Sequence, residues 1–134
     1  MRRGISLLGT LFLMLVAAPA ASPALVHFTT PSKNIGCLGD RTFLRCDIVR
    51  TTVKPPPKPR SCEFDWGNAF GLGPRSRGRR LCVSDSALGG RRILRYGQTL
   101  RTGRIVCRSR REGLTCTNPS GHGFFLSRQR IKLF

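Results

Sequence analysis

The chain has 134 residues, of which 24 are lysine or arginine and only six are acidic, giving a formal net charge of +18. The length is too small for two sizeable hydrophobic cores, and six cysteines are atypical of a cytosolic protein, where thiols stay reduced. The charge favours anionic partners.

The N-terminus has the pattern of an export signal, which we expect to span residues 1–20. Arg2 and Arg3 supply a positive start, the apolar stretch 5–18 follows, and small residues precede a cleavage point after Ala20. This stretch is shorter than the roughly 20 apolar residues that a membrane span needs. We therefore expect no transmembrane segment, a secreted or cell-envelope-associated protein, and a single domain over residues 25–134.

The first predicted hairpin contains Cys37 and Cys46. Apolar and charged residues alternate over 44–48, which is the period of a half-buried strand. An antiparallel register with Cys37 opposite Cys46 also pairs Ile35 with Ile48. This register predicts a turn at residues 41–42.

Two irregular stretches and one further strand are predicted in the middle of the chain. Residues 54–59 include four prolines, so we expect residues 51–60 to form an extended strap across the surface of one domain. Alternation over 62–66 predicts a strand. Glycine and proline over 71–78 predict a surface loop.

The second predicted hairpin contains Cys107 and Cys116, whose spacing equals that of the first pair. The same register puts residues 111–112 at the tip. Residues 123–126 and 131–134 are predicted to be two closing strands, with the C-terminus tucked into the sheet. The fold class expected is therefore mainly β, a small single domain of short antiparallel strands with two stapled hairpins.

The six cysteines are predicted to form three disulfides between neighbours in sequence. Register supports the pairs within each hairpin, and Cys62 with Cys82 follows by elimination among the 15 possible connectivities. Free or metal-bound thiols are the alternative reading. Zinc sites favour gaps of two to four residues, which gaps of eight and nineteen do not match, so we expect no metal and no cofactor.

Several short motifs resemble a family of uncharacterised exported domains in small actinobacterial proteins. The matching stretches, in chain order, are 28–37, 45–48, 65–67, 96–97, 114–118 and 120–128. Two positions depart from the family pattern, since glycine is usual where this chain has Lys33, and Gly-Asp-Thr is usual at 84–86. The resemblance implies an exported, cysteine-stapled domain and implies no activity.

Arginine is concentrated between residues 75 and 111, where Asp85 is the only acid. The guanidinium fork matches phosphate and carboxylate oxygens, so we expect this segment to capture an anionic polymer or surface: a cell-wall polymer, nucleic acid or acidic lipid. A partner protein is not indicated. An alternative is that the arginines only reflect genome composition and keep the domain in solution. The candidate binding residues are Arg75, Arg77, Arg79, Arg80, Arg91, Arg92, Arg95, Arg108, Arg110 and Arg111.

Enzymatic function is the weaker interpretation. A ribonuclease needs a general base, a general acid and cations for the phosphate, and His122 with Glu112 could supply the first two. His122 lies between two glycines, however, which is typical of a turn. A non-enzymatic binding module is therefore favoured, with a ribonuclease using His122 as the alternative; a membrane-active domain would need an amphipathic helix, which the pattern lacks.

Overall fold

The computed structural model describes residues 13–20 and 24–134, and within them all regular secondary structure is β. The strands, in chain order, are β1 (Val26–Thr29), β2 (Ile35–Gly39), β3 (Leu44–Ile48), β4 (Asp65–Leu72), β5 (Arg79–Val83), β6 (Arg92–Ile93), β7 (Thr99–Thr102), β8 (Ile105–Arg110), β9 (Gly113–Thr117), β10 (Gly123–Leu126) and β11 (Ile131–Leu133). The mainly β prediction is confirmed.

The strands form two sheets that enclose a shared core. One sheet has six strands in the order β5-β4-β3-β2-β1-β6, and the other has five in the order β11-β10-β9-β8-β7. Pairing is antiparallel except between β1 and β6, where it is parallel. Each sheet is largely a meander of adjacent hairpins, so most paired strands are consecutive in the sequence.

The core lies between the inner faces of the sheets. In the six-stranded sheet a buried row crosses β1 to β4, and a second buried row crosses β7 to β10 in the five-stranded sheet. The rings of Phe70 and Phe124 meet across the two sheets with their centroids 6.4 Å apart. Burial of this apolar surface is the main favourable contribution to folding. The two rows consist of Phe28, Cys37, Cys46 and Phe70, and of Leu100, Cys107, Cys116 and Phe124.

Both predicted hairpin registers are confirmed. Cys37 lies opposite Cys46 and Cys107 lies opposite Cys116, each with a Cα–Cα distance of 4.1 Å. The third disulfide joins Cys62 to Cys82, as elimination predicted. The two hairpin disulfides thus link neighbouring strands in the centre of each sheet. The third disulfide links the segment that precedes β4 to strand β5.

Two local predictions are wrong. Strand β4 begins at Asp65 rather than residue 62, because the backbone turns at Cys62, whose N–H donates to Pro59 O at 3.0 Å. Phe64 is consequently 52% exposed. The strand also extends through Leu72, which the sequence placed in a loop, because Leu72 pairs with Leu44 and is fully buried.

The segment 51–60 runs along the surface and bonds to both sheets. The backbone N–H of Thr52 donates to Arg128 O at 2.8 Å, and the Trp66 indole Nε1 donates to Pro56 O at 3.0 Å. At the C-terminus, Phe134 exchanges two backbone hydrogen bonds with Gly123 and accepts one from Gly78. The last residue therefore joins the start of β5 to β10.

The predicted export signal lies partly outside the described residues, which omit 1–12 and 21–23. Residues 13–20 are exposed and have no regular secondary structure. Within the described part of the chain, no helix has the length and apolar character required to cross a bilayer. The cleavage point and the domain limits stay predictions.

Candidate anion-binding cleft and basic face

Four chain segments meet at one end of the sandwich and surround a cleft of about 520 Å³, called here the terminal cleft. Three of these segments are turns, namely β1–β2, β8–β9 and β10–β11, and the fourth is the end of β3. The antiparallel order brings them together, because alternate turns of a meander fall at the same end of a sheet. Tyr96 completes the lining.

The β1–β2 turn places Lys33 on the cleft in an unusual conformation. The Lys33 N–H donates to Thr30 O at 2.9 Å, which closes a tight turn with Pro31 at its second position. Lys33 has φ 58°, and it is the only non-glycine residue in the described parts of the chain with a positive φ. A side chain in this left-handed region costs about 1–2 kcal/mol relative to the right-handed one.

Asn34 attaches this turn to the end of β3. Its side-chain Nδ2 donates to Arg50 O at 3.0 Å, and its Oδ1 accepts from the Arg50 N–H at 2.8 Å. The Val49 N–H also donates to Asn34 O at 2.8 Å. These three bonds fix the backbone of Arg50 and leave its exposed guanidinium free to extend over the cleft.

The β10–β11 turn is held in a similar way. Buried Ser127 bonds with Arg130 through both backbone and hydroxyl, at 2.8 to 3.1 Å. Arg128 lies at the tip of this turn, and its carbonyl accepts from the segment 51–60. The backbone of each cation-bearing turn is thus fixed by hydrogen bonds that do not use the charged groups.

The cleft is strongly positive and its cations have no carboxylate partner. In the described residues, ion pairs within 4.0 Å form only at Arg45, which is remote from the cleft. Glu112 is the one acid in the lining. The Arg111 guanidinium stacks over the Tyr96 ring at 5.4 Å from its centroid. The cations of the terminal cleft are Lys33, Arg50, Arg110, Arg111 and Arg128.

The outer face of the five-stranded sheet forms a second positive surface, called here the basic face. One outward row crosses all five strands and consists of Thr99, Arg108, Thr115, Phe125 and Lys132. Arg101 and Arg110 project from the same face, and Arg130 stacks over the Phe125 ring at 4.6 Å. The cations of the basic face are Arg101, Arg108, Arg110, Arg130 and Lys132.

A shallow depression of about 290 Å³ connects the two surfaces. It is lined on one side by Thr99 and Arg108 of the basic face, and it shares Tyr96, Arg110 and Arg111 with the terminal cleft. Glu112 lines both spaces and is the one acid in either lining, so a ligand lying on the face can extend into the cleft past a single carboxylate.

The ten arginines singled out from the sequence do not form one patch. β5 and β6 are the opposite edges of the six-stranded sheet, so residues 79–80 and 91–92 lie far apart. Residues 75 and 77 lie in the β4–β5 loop, and Arg95 precedes Tyr96 in the β6–β7 connection. Of the ten, only Arg108, Arg110 and Arg111 belong to the terminal cleft or the basic face.

Two of the arginines outside the cleft and the basic face pack against aromatic rings. Arg80 is half-buried, lies 4.9 Å from the Phe70 ring centroid and donates to Gly67 O. Burial lowers its pKa, because the charged form is desolvated. Arg79 stacks over Phe43 at 5.6 Å. The two side chains therefore contribute to packing, whether or not they also contact a ligand.

Sequence reasoning missed the cations contributed from outside residues 75–111, which are Lys33, Arg50, Arg128, Arg130 and Lys132. It also passed over Arg101, which lies within that range. Register could have placed two of the face cations, because alternation puts Arg108 and Arg110 on one side of a strand whose other side carries Cys107 and Ser109. The cleft residues come from distant segments and have no shared pattern.

The residues proposed for catalysis lie at opposite ends of the five-stranded sheet. Glu112 is in the β8–β9 turn and His122 is in the β9–β10 turn, so the length of β9, roughly 17 Å for five residues, separates the two turns. His122 lies next to Asn118, whose Oδ1 accepts from the His122 N–H at 3.2 Å. Within the described residues, no three histidine, cysteine or acidic side chains gather into a metal-binding group.

Three of the six acidic residues lie together on the other side of the molecule. Asp47, Asp65 and Asp85 line a cleft of about 480 Å³ on the outer face of the six-stranded sheet. Arg45 bonds to both Asp47 and Asp85, and its hydrogen bond, together with its charge, lowers the pKa of Asp85. Buried Asp47 also accepts from the Ala87 N–H at 2.9 Å, so this network fastens the 84–90 segment to the sheet.

A family model described as "Family of unknown function (DUF6636)" matches residues 6–134, and the chain belongs to this family. The match covers nearly the whole sequence and carries no activity. Neither the curated proteins nor the solved structures contain a significant match to the chain.

Proposed function

We propose that this protein is a non-enzymatic binding module that works outside the cytoplasm and captures an anionic polymer through its basic face. Three disulfides support the compartment, because they are typical of proteins that fold in an oxidising environment. The binding proposal rests on the row of outward-facing residues that crosses the five strands, because every charged residue in this row is positive.

The mechanism is electrostatic capture by a rigid surface. Neighbouring strands are about 4.8 Å apart and alternate residues along a strand are about 6.8 Å apart, so the cations form a fixed two-dimensional array. The threonine hydroxyls of the same face can donate hydrogen bonds to anionic oxygens. Because the disulfide Cys107–Cys116 ties β8 to β9 beneath the face, the backbone that carries these charges is already ordered when the polymer binds.

Salt dependence tests this mechanism. A single-stranded polymer releases counterions when it binds, so the logarithm of affinity falls with the logarithm of salt by about 0.7 per neutralised phosphate. We expect fluorescence-labelled poly(U) to bind the oxidised protein with such a slope in anisotropy titrations. The triple variant Arg101→Gln/Arg108→Gln/Lys132→Gln should reduce the slope by about 2, because it removes three contacts.

The matched control removes the same charge from the exposed strap, with Lys54→Gln, Lys58→Gln and Arg60→Gln. It should leave the slope near that of the unmodified protein. Equal losses in the two variants would show that net charge alone drives binding and would contradict a basic-face site. Recovery of shortened RNA would contradict the non-enzymatic proposal and favour the ribonuclease interpretation.

A further inference from the structure

We infer that the terminal cleft is a binding site for a phosphate group of the captured ligand. The inference rests on the proposed function, since the cleft adjoins the basic face and shares Arg110 with it. It adds a discrete site of defined chemistry to a surface that otherwise recognises only charge density.

The charge of the cleft is the first observation behind this inference. Four separate segments bring five cations to a space of about 520 Å³, and the lining contains one acid. Like charges held at short range repel each other, so this arrangement is unfavourable until an anion enters. A group that carries two negative charges on several oxygens relieves the repulsion of more cations than a single carboxylate can.

The backbone of Lys33 is the second observation. Tight turns that need a positive φ normally use glycine or asparagine, yet the position here holds a lysine at φ 58°. The turn itself gains nothing from a lysine there. A conformational cost at an exposed position points to a use for the side chain, and Lys33 lines the cleft.

The types of side chain indicate phosphate. Arginine presents paired N–H donors whose spacing matches two oxygens of one phosphate, and lysine adds a compact charge. The cleft contains four arginines and one lysine, and its volume lies in the range of small-molecule sites. Since the backbones of Arg50 and Arg128 are fixed by hydrogen bonds, their side chains extend from fixed points at the edge of the cleft.

Small phosphates test the cleft separately from the polymer site. We expect inorganic pyrophosphate, added to isotope-labelled oxidised protein, to shift amide resonances mainly at residues 32–34, 49–50, 110–113 and 127–129. Citrate at the same ionic strength should give smaller shifts. Binding to the basic-face triple variant should be retained, so loss of polymer capture and loss of phosphate binding are separate outcomes.

Substitutions of Lys33 distinguish a binding role from a purely structural one. Lys33→Gly relieves the left-handed strain, so the melting temperature should rise while pyrophosphate affinity falls about tenfold, equivalent to about 1.4 kcal/mol. Lys33→Arg should keep most of the affinity. Arg50→Gln should weaken binding with little change in stability, whereas Arg75→Gln, which removes one charge from the opposite end, should have little effect on either property.

Three results would overturn the inference. These are pyrophosphate shifts spread evenly over the surface, equal binding of citrate, or affinity in Lys33→Gly and Arg50→Gln that matches Arg75→Gln. Comparing uridine monophosphate with glycerol 3-phosphate identifies the source of the phosphate. Tighter binding of the nucleotide would support a nucleic acid whose base contacts Tyr96, and equal binding would support recognition of the phosphate group alone.

Discussion

The core disulfide Cys37–Cys46 should contribute more to stability than Cys62–Cys82, although its loop is shorter. Sequence separations of 9 and 20 correspond to closed loops of 10 and 21 residues. In the chain-entropy model these loops restrain the unfolded state by roughly 2.7 and 3.3 kcal/mol. Entropy alone therefore ranks the longer loop first.

Burial reverses this order. Cys37 and Cys46 are fully buried in the row that contains Phe28 and Phe70, whereas Cys62 is 7% exposed and Cys82 is half-buried. Replacing both core cysteines with alanine leaves two sulfur-sized voids, each costing about 1 kcal/mol. The core variant should thus lose roughly 5 kcal/mol, against 3 to 4 kcal/mol for the outer one.

Urea unfolding followed by circular dichroism measures the two losses. Tryptophan fluorescence is a poor probe here, because Trp66 lies opposite Cys82 and would respond to that disulfide directly. Mass spectrometry after alkylation should first show that the two remaining disulfides are intact in each variant. A larger loss in Cys62→Ala/Cys82→Ala than in Cys37→Ala/Cys46→Ala would refute the reasoning and show that loop closure dominates.

Two further predictions concern polar groups. The Ser109 hydroxyl is buried without a hydrogen-bond partner and is the only such side-chain group in the described residues. Ser109→Ala should therefore raise the unfolding free energy by about 1 kcal/mol in the same urea assay. A decrease of more than about 1 kcal/mol would show that the hydroxyl has a partner. The pKa of Asp85 is lowered by its hydrogen bond from Arg45, so its contribution is present above about pH 4 and is lost as pH falls below it. Asp85→Asn should accordingly flatten the fall in stability below about pH 4. An unchanged pH dependence in this acidic range would exclude the Arg45–Asp85 pair as its source.

The hairpins could be predicted from sequence because their information is local. Equal cysteine spacing and alternating residues define a register, and the register then fixes which neighbours meet, as Ile35 and Ile48 show. The limits of β4 could not be predicted, because they depend on the distant partners Leu44 and Val83. A bulge between Trp66 and Phe70 further interrupts the alternation that sequence reasoning relies on.

The sequence predicts the chemistry of the candidate site but not which residues form it. A run of arginines indicates attraction to anions, yet strand pairing decides which arginines share a surface. Residues 79–80 and 91–92 are close in sequence to the other arginines and lie at opposite sheet edges. Lys33 and Arg128 are 95 positions apart in the sequence and line one cleft. Tertiary structure alone assembles such a site, because its members come from turns that no short pattern connects.

The separation of the charges explains why the basic face can act although the molecule also carries acids. Asp47, Asp65 and Asp85 line the outer side of one sheet, and the basic face is the outer side of the other. Packed sheets are about 10 Å apart and these charges lie on their outer sides, so the two sets are separated by more than the Debye length of about 10 Å at 0.1 M salt. Salt in the surrounding solvent therefore weakens the effect of the acids on the basic face. An anionic surface that approaches the basic face therefore meets an outward row whose charged members are all positive, and this orientation favours binding. Because the charge distribution rather than the net charge sets this orientation, variants of equal net charge on the face and on the strap must differ.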